Sequence, residues 1–219
     1  MKKYDYIVIG GGSGGVASSR RAAQYGAKVA LIENGKLGGT CVNVGCVPKK
    51  VMWNAASIME ATHHASAYGI NAEKIELDFI SLKKNRDSYV SKLNQIYERL
   101  LEKSGVEHYC GFGKIVGKNQ VEVNGEILEG EHILVATGGK PNLLSIPGAE
   151  YGITSDGFFA MKKFPKKVLI IGSGYIGVEI AGVLKVLGSE VHIVARRDYI
   201  LAAFGEDVGK WMREAIEDK

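Results

Sequence analysis

A glycine-rich turn between a strand and a helix occurs twice in this chain, and that repetition constrains the fold more than any other feature. Residues 4–10 (YDYIVIG) form a short β-branched run, residues 13–26 read as a helix closed by a glycine stop, and residues 28–33 read as a second strand. The stretch 166–196 (KKVLIIGSGYIGVEIAGVLKVLGSEVHIVAR) repeats the same order. Each is a βαβ unit, the start of a parallel sheet, so the chain is expected to be α/β. Gly10, Gly12 and Gly15 match G-x-G-x-x-G, as do Gly172, Gly174 and Gly177. In that pattern the first glycine turns the chain, the second admits a pyrophosphate, and the third lets helix pack on strand. Both motifs sit between a strand and a helix, the context that supports nucleotide binding; a ligand-free turn is the alternative at each.

The residue ending the second strand separates the two units. Counting 23 residues from the first glycine gives Glu33 in one and Ala195 in the other. A carboxylate there suits the hydroxyls of an unphosphorylated ribose, as in FAD or NAD. Ala195 is followed by Arg196 and Arg197, two guanidinium forks suited to a 2′-phosphate and so to NADP; solvated loop charges are the alternative. The two units are therefore expected to bind different nucleotides.

Three cysteines are too few for a secreted disulfide framework, and Cys41 and Cys46 stand five residues apart. Five residues of helix span about 7.5 Å, whereas a disulfide needs α-carbons within about 7 Å, so a redox pair requires a distorted segment, which Gly45 permits. Gly38, Gly39 and Thr40 before the pair and Pro48 after it favour such a backbone; two buried structural thiols are the alternative. A dithiol beside a flavin implies an electron path from nicotinamide through flavin to an external disulfide. Lys49 and Lys50, three and four residues beyond Cys46, are expected to lower the thiol pKa, or else to be solvated. Cys110 is expected to be buried.

Between these units, the loop NGKLGGT leads into a long helical stretch that carries both cysteines and has His63-His64 in mid-helix, and residues 77–104 read as a second helix with one apolar face, its charged residues on the rest. Residues 106–136 alternate in short runs and read as an antiparallel segment, with Asn124-Gly125 as a hairpin turn. The stretch 140–148 (KPNLLSIPG) reads as a linker. The expected domains are 1–145, holding FAD and the redox pair, and 146–219, an incomplete nicotinamide-nucleotide domain. A net charge of +4, from 28 basic and 24 acidic residues without long charge runs, indicates no nucleic-acid or membrane partner. The start MKKYDYIVIG lacks a signal-peptide core and no stretch of 18 apolar residues occurs, so the cytoplasm is the expected compartment. His63-His64 is expected on a solvated face, and no metal site is expected.

The segment GTCVNVGCVPKKVMWNAA, with the glycine-rich opening and GSGYIGVE, resembles the glutathione reductases of the pyridine-nucleotide disulfide oxidoreductase family. The likeness covers essentially all of the chain. CVNVGC is shared with thioredoxin and trypanothione reductases, and lipoamide dehydrogenases have a close relative of it, so it specifies the superfamily more than the substrate. The resemblance implies that Cys41 forms the mixed disulfide with glutathione and that Cys46 is the charge-transfer thiol. It pairs Lys49 with Glu179 near the flavin. It makes Tyr175 the cover of the nicotinamide pocket, and assigns Ser13, Gly14, Glu33 and Thr40 to FAD beside the first glycines. The run 132–139 (HILVATGG) resembles the strand closing the FAD domain. Arg20 would bind a glutathione carboxylate, for which a guanidinium is a good bidentate partner, and Tyr97 would lie in the glutathione cleft.

The implied reaction is reduction of glutathione disulfide by NADPH through FAD. Two positions depart from the family pattern: Ala202 stands where a further phosphate-binding arginine is usual, and Gly177 where NADPH-dependent relatives commonly carry alanine. Family members are much longer. The resemblance places the rest of the NADPH domain, the dimer interface and a histidine-glutamate acid-base pair outside these residues, and makes a homodimer the expected assembly of the longer protein. An inactive FAD-binding fragment is one alternative; an enzyme for another disulfide, such as lipoamide or thioredoxin, is the other.

Overall fold

The computed structural model describes residues 1–72 and 75–218. Lys219, the end of the second expected domain, lies outside them. The chain divides into two compact units, Met1–Pro48 with Asn85–Phe159 and Lys49–Lys84 with Ala160–Lys219.

The first unit is built on a mixed, mainly parallel sheet. Strand β1 (Lys2–Ile9) leads through the first glycine turn into helix α1 (Ser13–Gln24) and returns as β2 (Val29–Glu33), parallel to β1. Helix α2 (Gly39–Val44) follows; α3 (Cys46–His63) passes into the second unit at Lys49, and α4 (Phe79–Lys103) re-enters the first at Asn85, after which come β3 (Glu107–Cys110), β4 (Lys114–Gly117), β5 (Gln120–Val123) and β6 (Glu126–Val135). The strand order is β3-β2-β1-β6-β5-β4. Alternation along β1 and β2 sends Ile7, Ile9, Ala30 and Ile32 to one apolar cluster, and Val8, Val29 and Leu31 to another that includes Val16 of α1 and Leu101 of α4. Both faces of the central strands are thus buried, as parallel strands require.

One expectation is corrected here. The segment 106–136 is not wholly antiparallel: β3 pairs parallel with β2, Ala30 against Glu107 through Glu33 against Cys110. A strand entered from a long helix returns in the direction of its neighbour, so β3 completes a second crossover. The antiparallel part is β4-β5-β6, turned at Asn124 and Gly125, with φ of 52° and 80°. Strand β6 also pairs parallel with β1, from Lys2 against Leu128 to Ile9 against Val135. The helical stretch holding both cysteines is interrupted at Gly45, which divides it into α2 and α3.

In the second unit, β7 (Lys167–Ile171), α6 (Tyr175–Val186) and β8 (Glu190–Val194) form the repeated βαβ unit, with β7 and β8 parallel from Lys167 against Glu190 to Ile171 against Val194. Ile180, Ala181, Val183 and Leu184 are the buried face of α6. A short helix α5 (Ser155–Ala160) precedes this unit, and α7 (Glu206–Glu217) follows it. No helix among the described residues is long and apolar enough to cross a membrane.

Candidate redox and nucleotide sites

The first glycine turn has the shape its motif requires. Gly10 has φ of +113°, donates its N–H to Ile32 O at 2.8 Å, and a side chain there would collide with Ala136 O. A Cβ on Gly15 would collide with Gly10 O, so α1 and β1 can pack this closely only without one. Gly12 caps α1 without a side-chain hydrogen bond, and no acidic residue occupies the first turn. The positive end of α1 is therefore not neutralised by its own first turn, which fits a pyrophosphate. The second turn repeats the geometry: Gly172 has φ of +112° and donates to Val194 O at 2.9 Å, and a Cβ on Gly177 would stand 2.8 Å from Gly172 O.

Glu33 ends β2 beside the first turn. Its Oε2 accepts the Gly11 N–H and its Oε1 the Gly35 N–H, each at 2.6 Å. Each oxygen keeps a further lone pair, so the carboxylate is held in orientation and still able to accept a ribose hydroxyl. Ser13 and Gly14 are the exposed first residues of α1, and Thr40 is exposed near the start of α2. At the end of β8, Arg196 and Arg197 are exposed. Arg197 donates to the Tyr199 hydroxyl at 2.7 Å and stacks its guanidinium on that ring, which leaves Arg196 as the more available fork. Ala202 opens an exposed 3-10 turn, Ala202–Phe204. Tyr175, the first residue of α6, is 60% exposed.

The cysteine segment is docked onto the first glycine turn. Gly38 N–H donates to Gly11 O at 2.8 Å, and a Cβ on Gly39 would stand 2.7 Å from Gly12 Cα, so only glycine lets the two turns touch. This brings Cys41 to the Ser13 hydroxyl. A Cβ on Gly45 would stand 2.8 Å from Thr40 O, which explains why glycine occupies the break between α2 and α3. The expected distortion is present, and both cysteines are free thiols.

The Cys41 thiol is not lowered in pKa as expected; it is held above its ordinary value. The hydrogen bond to the Cys46 side chain is the main cause, followed by burial and by the Cys46 charge, while the Cys46 backbone and the Ser13 hydroxyl act the other way. The nearby lysines do not reverse this. Lys49 Nζ is 2.6 Å from Glu179 Oε1, so its charge is already met by a carboxylate, and Lys50 is exposed. The Lys49–Glu179 pair itself is formed, within the second unit.

Arg20 and Tyr97 point to different partners. Arg20 Nε donates to Ser104 Oγ at 3.1 Å at the end of α4, whereas Tyr97 packs half-buried against the Val8–Leu31 cluster. Cys110 is exposed, not buried, because β3 is an edge strand; its sulfur is 4.0 Å from His108 Nε2. His63 is exposed as expected, although it ends α3 and is not in mid-helix. Among the described residues no group of three or more His, Cys, Asp or Glu could hold a metal ion. Asn43 and Asn94, whose side chains meet at the start of α2, belong to no motif in the sequence. A polar residue on the apolar side of α4, three before Tyr97, was the available signal.

A family model described as pyridine nucleotide-disulphide oxidoreductase matches residues 4–219. The chain belongs to that family. Two proteins named glutathione reductase are similar to this oxidoreductase chain. The one from Debaryomyces hansenii is 46% identical over 248 aligned positions, covering 100% of this chain and 51% of that protein. The one from Yarrowia lipolytica is 50% identical over 215 positions, covering 92% of this chain and 46% of that protein. The chain spans about half the length of these curated relatives.

Proposed function

We propose that this chain belongs to an enzyme that reduces glutathione disulfide to glutathione with NADPH, using FAD at the first glycine turn and the Cys41/Cys46 pair as the disulfide-exchanging group. The reading rests above all on one observation: two free thiols flank a helix break that is docked on a dinucleotide-type turn. The names of the relatives supply the substrate. Bound FAD would supply two-electron transfer between NADPH and the thiol pair.

The steps carried by the chain itself balance simply. Cys41, losing its proton, attacks one sulfur of glutathione disulfide; the S–S bond breaks and one glutathione leaves as a thiolate that takes up that proton. Cys46 then loses its proton and attacks the Cys41 sulfur, the second glutathione leaves and takes that proton, and a Cys41–Cys46 disulfide remains. Two electrons have passed from the pair to the substrate. Ser13 donates to the Cys41 sulfur and favours its thiolate. Gly10, Gly12, Ser13, Gly14, Gly15, Glu33 and Thr40 would hold FAD; Gly172, Gly174, Tyr175, Gly177, Arg196 and Arg197 would hold NADPH. Arg20 and Tyr97 are assigned to glutathione, and Lys49 with Glu179 to the catalytic set. The working assembly is a homodimer, and its place of action the cytoplasm.

The test is NADPH oxidation by the purified protein with glutathione disulfide, lipoamide and oxidised thioredoxin supplied in turn. Oxidation with glutathione disulfide alone supports the assignment. Turnover only with one of the other two would reassign the substrate, and a protein that binds no flavin would refute the scheme.

A further inference from the structure

The side-chain amides of Asn43 and Asn94 converge on the turn that opens α2, and neither has a part in the chemistry above. Asn43 Nδ2 donates to Gly39 O at 2.9 Å, Leu37 O at 3.2 Å and Lys36 O at 3.3 Å. Asn94 Nδ2 donates to the same Leu37 O at 2.8 Å and to Asn43 Oδ1 at 3.0 Å. Backbone carbonyls only accept, so both amides must present their NH2 groups to this turn; Asn43 Oδ1 is then left to receive Asn94, and the orientations follow from donor chemistry.

The two residues come from different places. Asn43 lies between the cysteines, while Asn94 sits on α4, a helix anchored in the core through Leu101, which is 1% exposed. The break at Gly45 uncouples α2 from α3. α2 is held in place by the burial of Val42, which is 2% exposed, by the backbone bond from Gly38 to Gly11 and by this amide clamp.

We propose that Asn94, acting through Asn43, is a positioning residue for the Cys41–Cys46 pair: it fixes α2 so that the two sulfurs stay within bonding reach, and so sets the balance between dithiol and disulfide. The proposal rests on reading that pair as redox active. A preorganised pair has a high effective concentration of one thiol at the other, and removing the anchor lowers it. Losing the two bonds that Asn94 donates should weaken disulfide formation about tenfold.

The equilibrium is measured on the full chain with dithiothreitol. Oxidised dithiothreitol loses its S–S bond as Cys41 and Cys46 form theirs; two electrons pass to the reagent, whose sulfurs take up the two protons. Quenching with a maleimide and weighing the intact chain separates the species, since only Cys110 is labelled in the disulfide and all three thiols in the dithiol. Asn94→Leu removes the donors, and Asn94→Asp removes them at nearly constant shape, so the second carries the test if the first folds poorly. Arg99→Ala is the control: Arg99 is an exposed residue of the same helix that bonds its own Gln95 O.

The expected result is a disulfide-formation constant about tenfold lower in the Asn94 variants and unchanged in the control. A constant within twofold of the parent in the Asn94 variants, or an equal fall in Arg99→Ala, would overturn the proposal while leaving the redox reading intact. A parent chain whose Cys41 and Cys46 never link would overturn that reading and this proposal with it.

Discussion

Cys41 and Ser13 meet although they are far apart in sequence, and their contact makes a titration prediction. Because Cys46 and burial hold the Cys41 thiol above the ordinary value of 9.0, its alkylation by iodoacetamide should show a midpoint above that pH. Ser13→Ala removes the one side chain named as opposing the shift by favouring the thiolate, and should move the midpoint further up; a midpoint that falls in the variant contradicts the contact. The sign for stability follows. A thiol whose folded pKa is raised contributes stability that is whole below the unfolded value and is lost as pH rises through the folded one. The chain should therefore become less stable on the alkaline side of pH 9.0, and Cys41→Ala should remove that part of the dependence. These details were not legible in the sequence. Spacing located the pair, but the lysines beside it suggested a lowered pKa, and the direction in which Lys49 points depends on Glu179, 130 residues away.

Among the secondary-structure elements, local sequence patterns agree with the structure wherever one period runs uninterrupted. Both βαβ units, the hairpin turn at Asn124-Gly125 and the span of α4 follow from periodicity and glycine placement. The four residues of β3 carry no mark of direction; the preceding crossover makes it parallel to β2. Arg86 shows the same limit. It lies in a helix read as charged outside its apolar face, yet it is 2% exposed and donates to Phe159 O at 2.6 Å. Gly45 was expected to distort the segment, and the structure adds the reason, the closeness of Thr40 O. Gly45→Ala should therefore force α2 and α3 apart and slow Cys41–Cys46 disulfide formation at least tenfold, measured by thiol labelling under air; an unchanged rate would mean that the break does not depend on that contact. Leu31→Ala, at a fully buried position of β2, should cost about 2–5 kcal/mol in urea unfolding. A loss below about 1 kcal/mol would argue against the core described for the first unit.

For the molecule as a whole, two glycine turns of similar geometry end in different chemistry, Glu33 in one unit and Arg196 in the other, and this difference was legible directly from residue counts. Arg196→Ala should raise the KM for NADPH about tenfold or more, the equivalent of one charge-assisted contact, with little change for NADH. Equal effects on both would remove the 2′-phosphate assignment. Disulfide exchange between the Cys41/Cys46 pair and glutathione can be followed by adding glutathione disulfide to the reduced chain and mapping the adducts by peptide mass. The predicted result is a Cys41–Cys46 disulfide in the parent chain and, in Cys46→Ser, a stable glutathione adduct on Cys41. Adducts confined to the exposed Cys110, with Cys41 left as a thiol, would contradict it.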